Sequence, residues 1–578
     1  MKRILGHIAL FLVLVLPGCR EDALEAPQAN QQPRTFLWLF PEDGIATTVS
    51  RQHLRWWGED PDGVLSGFLL AYTVTNAPKS SLPAPDTLRY AWVTANDSVF
   101  AFPLDTLFRY YLVGVRGVDN TFPGLPRGSI VRLTPFAFWD KDDNGSFGGT
   151  DEQLPTLAGA MDPTGAALTF PIRNSPPSVS FLQNPTDPNL PLRQPETTYT
   201  AATFAWTGSD PDGNNTLARY RIALNDTAGT WLSVPLRDTL ITLVVPRSAS
   251  DAAGSTVTAQ VFSGTFLGRQ RVGDLPGLRL DANNVLYLQA VDVAGEPSAA
   301  IAMPSGTDRW YVKRPRGRLL LVGDYIRSDA QSAFATYVTS LASVPGGQYA
   351  TVDQLNIGLG LTSSDKLAGK AGALVPAYVD PALIFTFLLY DCVLWYTDEF
   401  PSLGVAQLSL FPYLQNGGRV IFSTMFLNTA DPRGALRDFA PIDSVSSVPL
   451  PPTVFPSLGD SRIPAGFRLD ADSTNPSMIY PRLAFNASPA IHSIFMRPIY
   501  RRTDARYIYR LQTDTRARYS GTPTIGVVDG VRTIIFVGLP LHLLNNTVEG
   551  NPAGLAAFFE TALIREFNPL QKVNRRRF

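Results

Sequence analysis

Between Arg318 and Thr424 the chain carries short apolar runs that do not alternate with polar residues: RLLLVG from Arg318 to Gly323, CVLWY from Cys392 to Tyr396 and RVIF from Arg419 to Phe422. A strand covered on both faces has no solvent side, so such runs predict a mainly parallel sheet with helices on either face. The segments between them have helical spacing. Ser328-Asp329-Ala330-Gln331 predicts a capping box opening a helix through Phe334, Tyr337, Val338 and Leu341. Another helix, from about Leu403 to Gln415, is predicted to stop at Gly417-Gly418. Further on, Thr524 to Val528 and Thr533 to Val537 read as a hairpin around Asp529-Gly530, and a last helix is expected from Asn551, with Pro552 at its first position, through Leu555, Phe558, Phe559 and Leu563. Ahead of residue 316 the pattern changes to alternation, as in Leu286 to Val291, punctuated by turn residues. The predicted fold class is therefore multidomain, with two all-β antiparallel sandwiches followed by an α/β three-layer domain.

Sliding the chain against itself exposes a repeat in the β part. Trp57-Gly58-Glu59-Asp60-Pro61-Asp62-Gly63 returns as Trp206-Thr207-Gly208-Ser209-Asp210-Pro211-Asp212-Gly213. Each copy reads as strand, turn, strand, because Pro presets φ, Asp bonds local amides and Gly supplies positive φ. The copies also end alike, at Tyr110 to Asp119 and at Leu286 to Gly295. This pattern resembles fibronectin type III modules of secreted bacterial proteins over 34–174 and 175–315, with Ala167 to Arg173 and Trp310 to Lys313 as closing strands. The resemblance implies sandwiches used as spacers or binding surfaces.

The amino terminus is a different kind of signal. Lys2-Arg3 precedes an apolar core, Ile8 to Leu16, too short to span a bilayer, and Leu16-Pro17-Gly18-Cys19 closes it. This resembles a bacterial lipoprotein signal over 1–18. The resemblance implies lipidation of Cys19, with acylation such as palmitate on the new terminus, and a polar tether over 19–33. Arg20 implies outer-membrane retention, and Glu21-Asp22 resemble signals for the outer surface, so the expected location is the cell envelope, facing the periplasm or exposed. With Cys19 lipidated, Cys392 is the only other cysteine, and no intramolecular disulfide is expected. The 49 basic and 50 acidic side chains give no field favouring nucleic acid, and the basic end over 568–578 is a short tail. At 578 residues the chain has room for roughly three or four domains.

The order of pieces from 316 to 567, with the stretch about 425–500 unmatched, resembles a class I glutamine amidotransferase-like, flavodoxin-like domain. The resemblance implies a nucleophilic cysteine on a Gly-flanked elbow, with His and Glu near the end of the chain. Here the elbow position carries Ser423-Thr424-Met425 without flanking glycines, and Cys392 sits inside an apolar strand as a core residue. Ligands in open parallel sheets bind beyond the strands' carboxyl ends, which makes Asp324, Asp398, Glu399, Ser423 and Thr424 the expected binding crevice. The favoured expectation is a non-catalytic envelope lipoprotein that presents this domain to a protein or glycan partner. The competing one is a hydrolase or transferase using Ser423, His542 and Asp398. His53 and His492 are the other histidines after the signal; no C-x-x-C, H-E-x-x-H, Walker-type or G-x-G-x-x-G stretch offers zinc, nucleotide or dinucleotide chemistry.

One loop offers metal chemistry. Asp140, Asp142, Asn144 and Asp151 stand at positions one, three, five and twelve, with Gly145 at six. Calcium takes six to eight oxygens around a tight turn, and the spacing resembles an EF-hand-like or dockerin-like loop without helical flanks. A solvated acidic loop is the alternative.

Overall fold

The computed structural model describes residues 29–567 except 40–49, 76–87, 105–107, 158, 185–186, 192–195, 253, 369–371, 373–378, 427–433, 435, 447–465, 475–477, 487–496 and 514–520. The signal, Cys19, most of the tether, His492, most of the unmatched stretch and the basic tail lie outside the described residues. Compactness divides the chain into two units.

The first unit is Met1–Pro177 with Ser209–Ala218 and Val291–Pro297. Its three-stranded antiparallel sheet holds Arg34–Leu39, Arg51–Glu59 and Asp97–Ala101. A seven-stranded antiparallel sheet is built around Leu65–Thr75 and Arg109–Asp119. Leu54 and Trp56 from the first sheet meet Phe68, Tyr111, Val113 and Phe170 from the second in one core, the mark of a sandwich. The repeat has to be read one residue earlier than its Trp57 suggests. Trp56, four residues before Asp60 as Trp206 is before Asp210, is the core side chain at 1% exposure, while Trp57 points outward and stacks on Phe36 at 5.0 Å. Strand alternation decides this, since adjacent residues face opposite sides of a sheet.

The second unit is Ser178–Gly208, Arg219–Ala290 and Ser298–Phe578. Ala201–Ser209, Leu240–Val244, Thr256–Ser263 and Gln270–Arg279 pair antiparallel in sequence in one sheet. Leu217–Leu224 and Leu286–Asp292 are central in another. Trp206 packs edge-on against Tyr220 at 5.7 Å, as Trp56 does against Phe68 at 6.4 Å. Within this unit the sandwich is packed onto the α/β part instead of standing free of it. Tyr199 donates to the carbonyl of Gln354, Phe262 and Phe266 stack on Phe385, and the Arg247 guanidinium donates to the carbonyls of Arg316 and Gly317.

The α/β part is a nine-stranded sheet: β1 Leu319–Asp324, β2 Val352–Asn356, β3 Cys392–Thr397, β4 Val420–Ser423, β5 Arg468–Ala471, β6 Leu483–Ala484, β7 Arg506–Leu511, β8 Thr524–Val528 and β9 Ile534–Val537. The order is β2-β1-β3-β4-β9-β8-β7-β5-β6. The first five of these are parallel neighbours, and the remaining four are added antiparallel. The parallel five have a doubly wound order, in which the progression of strands across the sheet reverses between β1 and β3. Both faces are covered. Leu319, Leu321, Leu394 and Ile421 face helix α1, Ala330–Ala342, and Phe558 and Phe559 of α4, Leu555–Phe559; Leu320, Val322, Trp395 and Phe422 face α2, Val379–Phe387, and α3, Leu403–Gln415.

The structure differs from expectation at several places. Helix α1 starts at Ala330, and Asp329 makes no side-chain cap, because its carboxylate lies toward His542. The last helix starts at Leu555, not Asn551: Gly554 takes φ 53, and Asn551 spends its amide on the carbonyls of Gly554 and Arg482. Strand β2 reads VDQLN, which carries no apolar run because it is an outer strand and half-exposed. Part of the stretch 425–500 also belongs to the sheet, as β5 and β6.

Candidate functional site

The reversal point between β1 and β3 is where a doubly wound sheet ordinarily opens to a ligand. Asp324 ends β1, and Thr397 ends β3 just ahead of Asp398. The structure brings Asp324, Asp398, Ser423 and Thr424 together, but each is buried at 0% exposure, so they form core and not the lining of an open crevice. A lysine fills the position. Lys366 Nζ lies 3.1 Å from Asp324 Oδ1 and 3.2 Å from Asp398 Oδ1, with all three side chains at 0% exposure, and it also donates to the Asp324 carbonyl. The remaining acceptor sites are used too. Asp324 accepts from the amide and hydroxyl of Ser402 and from the Trp395 indole; Asp398 accepts from the amides of Ile326 and Phe400. Burial holds the Asp324 carboxyl above its usual range, against the opposing pull of Lys366 and Ser402. Glu399 pairs with Arg327 at 2.7 Å beside this cluster, and the Thr424 hydroxyl donates to the carbonyls of Asp398 and Met425.

Lys366 was not among the residues expected here. Its signal is local: Thr362 and Asp365 form a capping box that starts the helix Ser363–Leu367, and this turn aims the lysine at the strand ends.

The hydrolase constellation is also only partly assembled. Ser423 Oγ donates to the Leu539 carbonyl at 2.9 Å and accepts from the Leu541 amide at 3.0 Å, so backbone occupies the hydroxyl. The Tyr337 hydroxyl stands between Ser423 and His542; it accepts from the His542 amide at 3.2 Å and lies 3.5 Å from His542 Nδ1. The acid nearest the imidazole is Asp329, at 3.7 Å from Nε2, while Asp398 is held by Lys366. His542 is 4% exposed. Cys392 is buried on β3, as its apolar neighbours predict.

The acidic loop joins two short antiparallel strands, Phe138–Trp139 and Glu152–Gln153, as a hairpin. Carboxylate oxygens of Asp140, Asp142 and Asp151 all lie within 4.8 Å of one another. Positive φ at Asp143 and Gly145 turns the backbone so that Asp140 accepts from the amides of Asn144 and Gly145. Asn144 Nδ2 donates to Asp142, and Asp151 accepts from the Lys141 and Gly148 amides. Arg132 and Lys141, paired with Asp140 and Glu152, balance part of the negative charge. All four candidate donors are oxygens, which suits a hard cation such as calcium.

A groove of about 330 Å³ lies at the opposite, amino-terminal end of the parallel strands, lined among others by Val244, Arg247, Phe385, Leu388, Tyr413 and Asn416.

Sheet order and site together define a chain of antiparallel β-sandwiches followed by a doubly wound α/β sheet whose usual ligand position is filled by its own lysine. No family model matches the chain, and no curated protein matches it. Among solved structures it is similar to a ThuA-like protein from Bacteroides uniformis, at 11% identity over 43% of this chain and 98% of that one, with a TM-score of 0.23. It is similar to a two-domain fibronectin type III segment of chicken tenascin, at 12% identity over 47% of this chain and 97% of that one, with a TM-score of 0.17. Fibronectin(III)-like modules of Clostridium thermocellum CbhA align at 10% identity over 48% and 94%, with a TM-score of 0.13.

Proposed function

We propose that the chain is an envelope-anchored lipoprotein that presents a non-catalytic, amidotransferase-like α/β domain on fibronectin type III-like sandwiches to a protein or glycan partner. The observation that carries the non-catalytic part is Lys366: a cation buried between Asp324 and Asp398 leaves no room for substrate where such sheets bind it. The backbone bonds of Ser423 support the same reading, because a nucleophile needs its hydroxyl within reach of a base. The groove at the amino-terminal strand ends is the surface this reading offers a partner.

Two measurements test it. A fluorophosphonate probe is expected to leave the purified chain unlabelled; labelling that disappears in Ser423→Ala would establish the hydrolase reading instead. In cells, labelled palmitate should enter the chain and the chain should fractionate with membranes, and Cys19→Ala should abolish both. A wild-type chain found unlabelled and soluble would remove the anchor.

We also propose calcium at the acidic loop, held by Asp140, Asp142, Asn144 and Asp151, where it would offset the mutual repulsion of carboxylates 4.8 Å or less apart. Millimolar calcium is expected to raise the melting temperature of the chain, and Asp140→Asn with Asp142→Asn to reduce that rise. An unchanged rise in this variant rules the loop out.

A further inference from the structure

Lys366 and the two aspartates around it are placed as reactants as well as an ion pair. Nζ lies 3.1 Å from Asp324 Oδ1 and 3.2 Å from Asp398 Oδ1, and all three side chains are at 0% exposure. No other ion pair among the described residues has both partners fully buried. Groups held about 3–3.5 Å apart are in near-attack contact, and fixing them there removes much of the entropy cost of bringing two reactants together.

The two carboxyls differ in what surrounds them. Burial favours the neutral form of Asp324, and a neutral carboxyl is the form an amine attacks, since a carboxylate repels the electron pair. The Ser402 amide, at 2.7 Å, and the Trp395 indole, at 3.4 Å, both donate to Asp324 Oδ2. They stand where negative charge gathers when Cγ becomes tetrahedral, which is the task of an oxyanion hole. Asp398 accepts from the Ile326 and Phe400 amides as well as from Nζ, and so is placed to take a proton from the amine.

We propose that Lys366 Nζ and Asp324 Cγ condense into an intramolecular isopeptide bond, with Asp398 as the general base. The Lys366 ammonium passes one proton to Asp398, and the freed electron pair of Nζ bonds to Cγ of the neutral Asp324 carboxyl. Oδ1, with the carboxyl's own proton, takes a second proton from Nζ and leaves as water, while Oδ2 becomes the amide oxygen. One proton remains on Nζ, nothing is oxidised or reduced, and no co-reactant is needed. The ammonium and the Asp398 carboxylate are replaced by an amide and a neutral acid, which removes the desolvation cost of a buried ion pair. Full burial also keeps water from returning to hydrolyse the amide. The bond ties the end of β1 to the helix Ser363–Leu367, across 42 residues, and like a disulfide it restricts the unfolded chain. The non-catalytic reading needs only the lysine in place and stands whether or not the bond forms.

The test is tryptic peptide mapping by mass spectrometry of the full chain, denatured before digestion. A free Lys366 is cut, so that 319–327, which carries Asp324, and 328–366 are recovered apart. With the bond in place trypsin passes over Lys366, and 319–327 is expected joined to 328–370 at their summed mass less one water. Recovery of the two peptides unlinked from the wild type overturns the proposal. Linkage of 328–370 to 371–419, which carries Asp398, equally overturns it, because the acceptor is then the residue assigned as base. Asp398→Asn keeps both bonding partners and should slow accumulation of the linked peptide by about 100-fold, the usual contribution of a general base. An unchanged rate removes Asp398 from the step. The wild-type digest decides the bond even if that variant does not fold.

Discussion

Lys366→Met is expected to lower the melting temperature of the α/β part by about 10 °C. The substitution removes the cation that lies within 3.2 Å of both Asp324 and Asp398, which are buried at 0% exposure. Breaking a buried ion pair by removing one partner costs about 3–5 kcal/mol, since the remaining charge keeps its desolvation penalty and loses its attraction. For a region of this size each kcal/mol is worth about 2–4 °C. Adding Asp324→Asn and Asp398→Asn should recover part of the loss, because the uncompensated charges go with the lysine, although Ser402 then faces an amide in place of a carboxylate. Differential scanning calorimetry of the single and triple variants makes the comparison. A Lys366→Met chain that melts with the wild type would mean that the lysine is not held between the strand ends, and the non-catalytic reading would lose its main support.

Trp56→Ala should destabilise the first unit by about 3–5 kcal/mol, as deletion of a large buried aromatic does. Trp57→Ala, one residue away, should cost about 1 kcal/mol, which covers the loss of an exposed stack on Phe36. The contrast follows from burial: Trp56 is 1% exposed between two sheets, and Trp57 is 40% exposed. Trp56→Phe should cost less than the alanine, because the Trp56 indole N–H makes no hydrogen bond that phenylalanine would forfeit. Urea unfolding followed by near-ultraviolet circular dichroism checks all three. Equal losses for Trp56→Ala and Trp57→Ala would mean that the repeat is out of register with the core.

The apolar runs at Arg318, Cys392 and Arg419 appear as β1, β3 and β4, and the hairpin around Asp529-Gly530 joins β8 and β9. These were legible because a doubly covered strand and a two-ended turn leave their physics in consecutive residues. The outer strand β2, with polar residues on its half-exposed positions, leaves no such trace. The repeat was legible as well, down to the aspartates of its turns, but not the fact that Trp56 and not Trp57 enters the core. That choice needs the partner sheet, against which one of two adjacent side chains must turn.

The candidate site divides the same way. Sequence alone determined that Asp324, Asp398 and Ser423 stand at the carboxyl ends of parallel strands and that no recognisable nucleophile elbow follows β4. It also determined the spacing of the acidic loop, because ligand spacing within one loop is a local property. Only the tertiary structure decided that Lys366, 42 residues beyond Asp324, fills the strand ends. It alone decided that Tyr337, 205 residues before His542, stands between that imidazole and Ser423. It alone set Asn174 against Asp292, 118 residues apart. Contacts of this kind arise from chain crossings and from the desolvation of whole side chains. Neither quantity exists until the elements are packed.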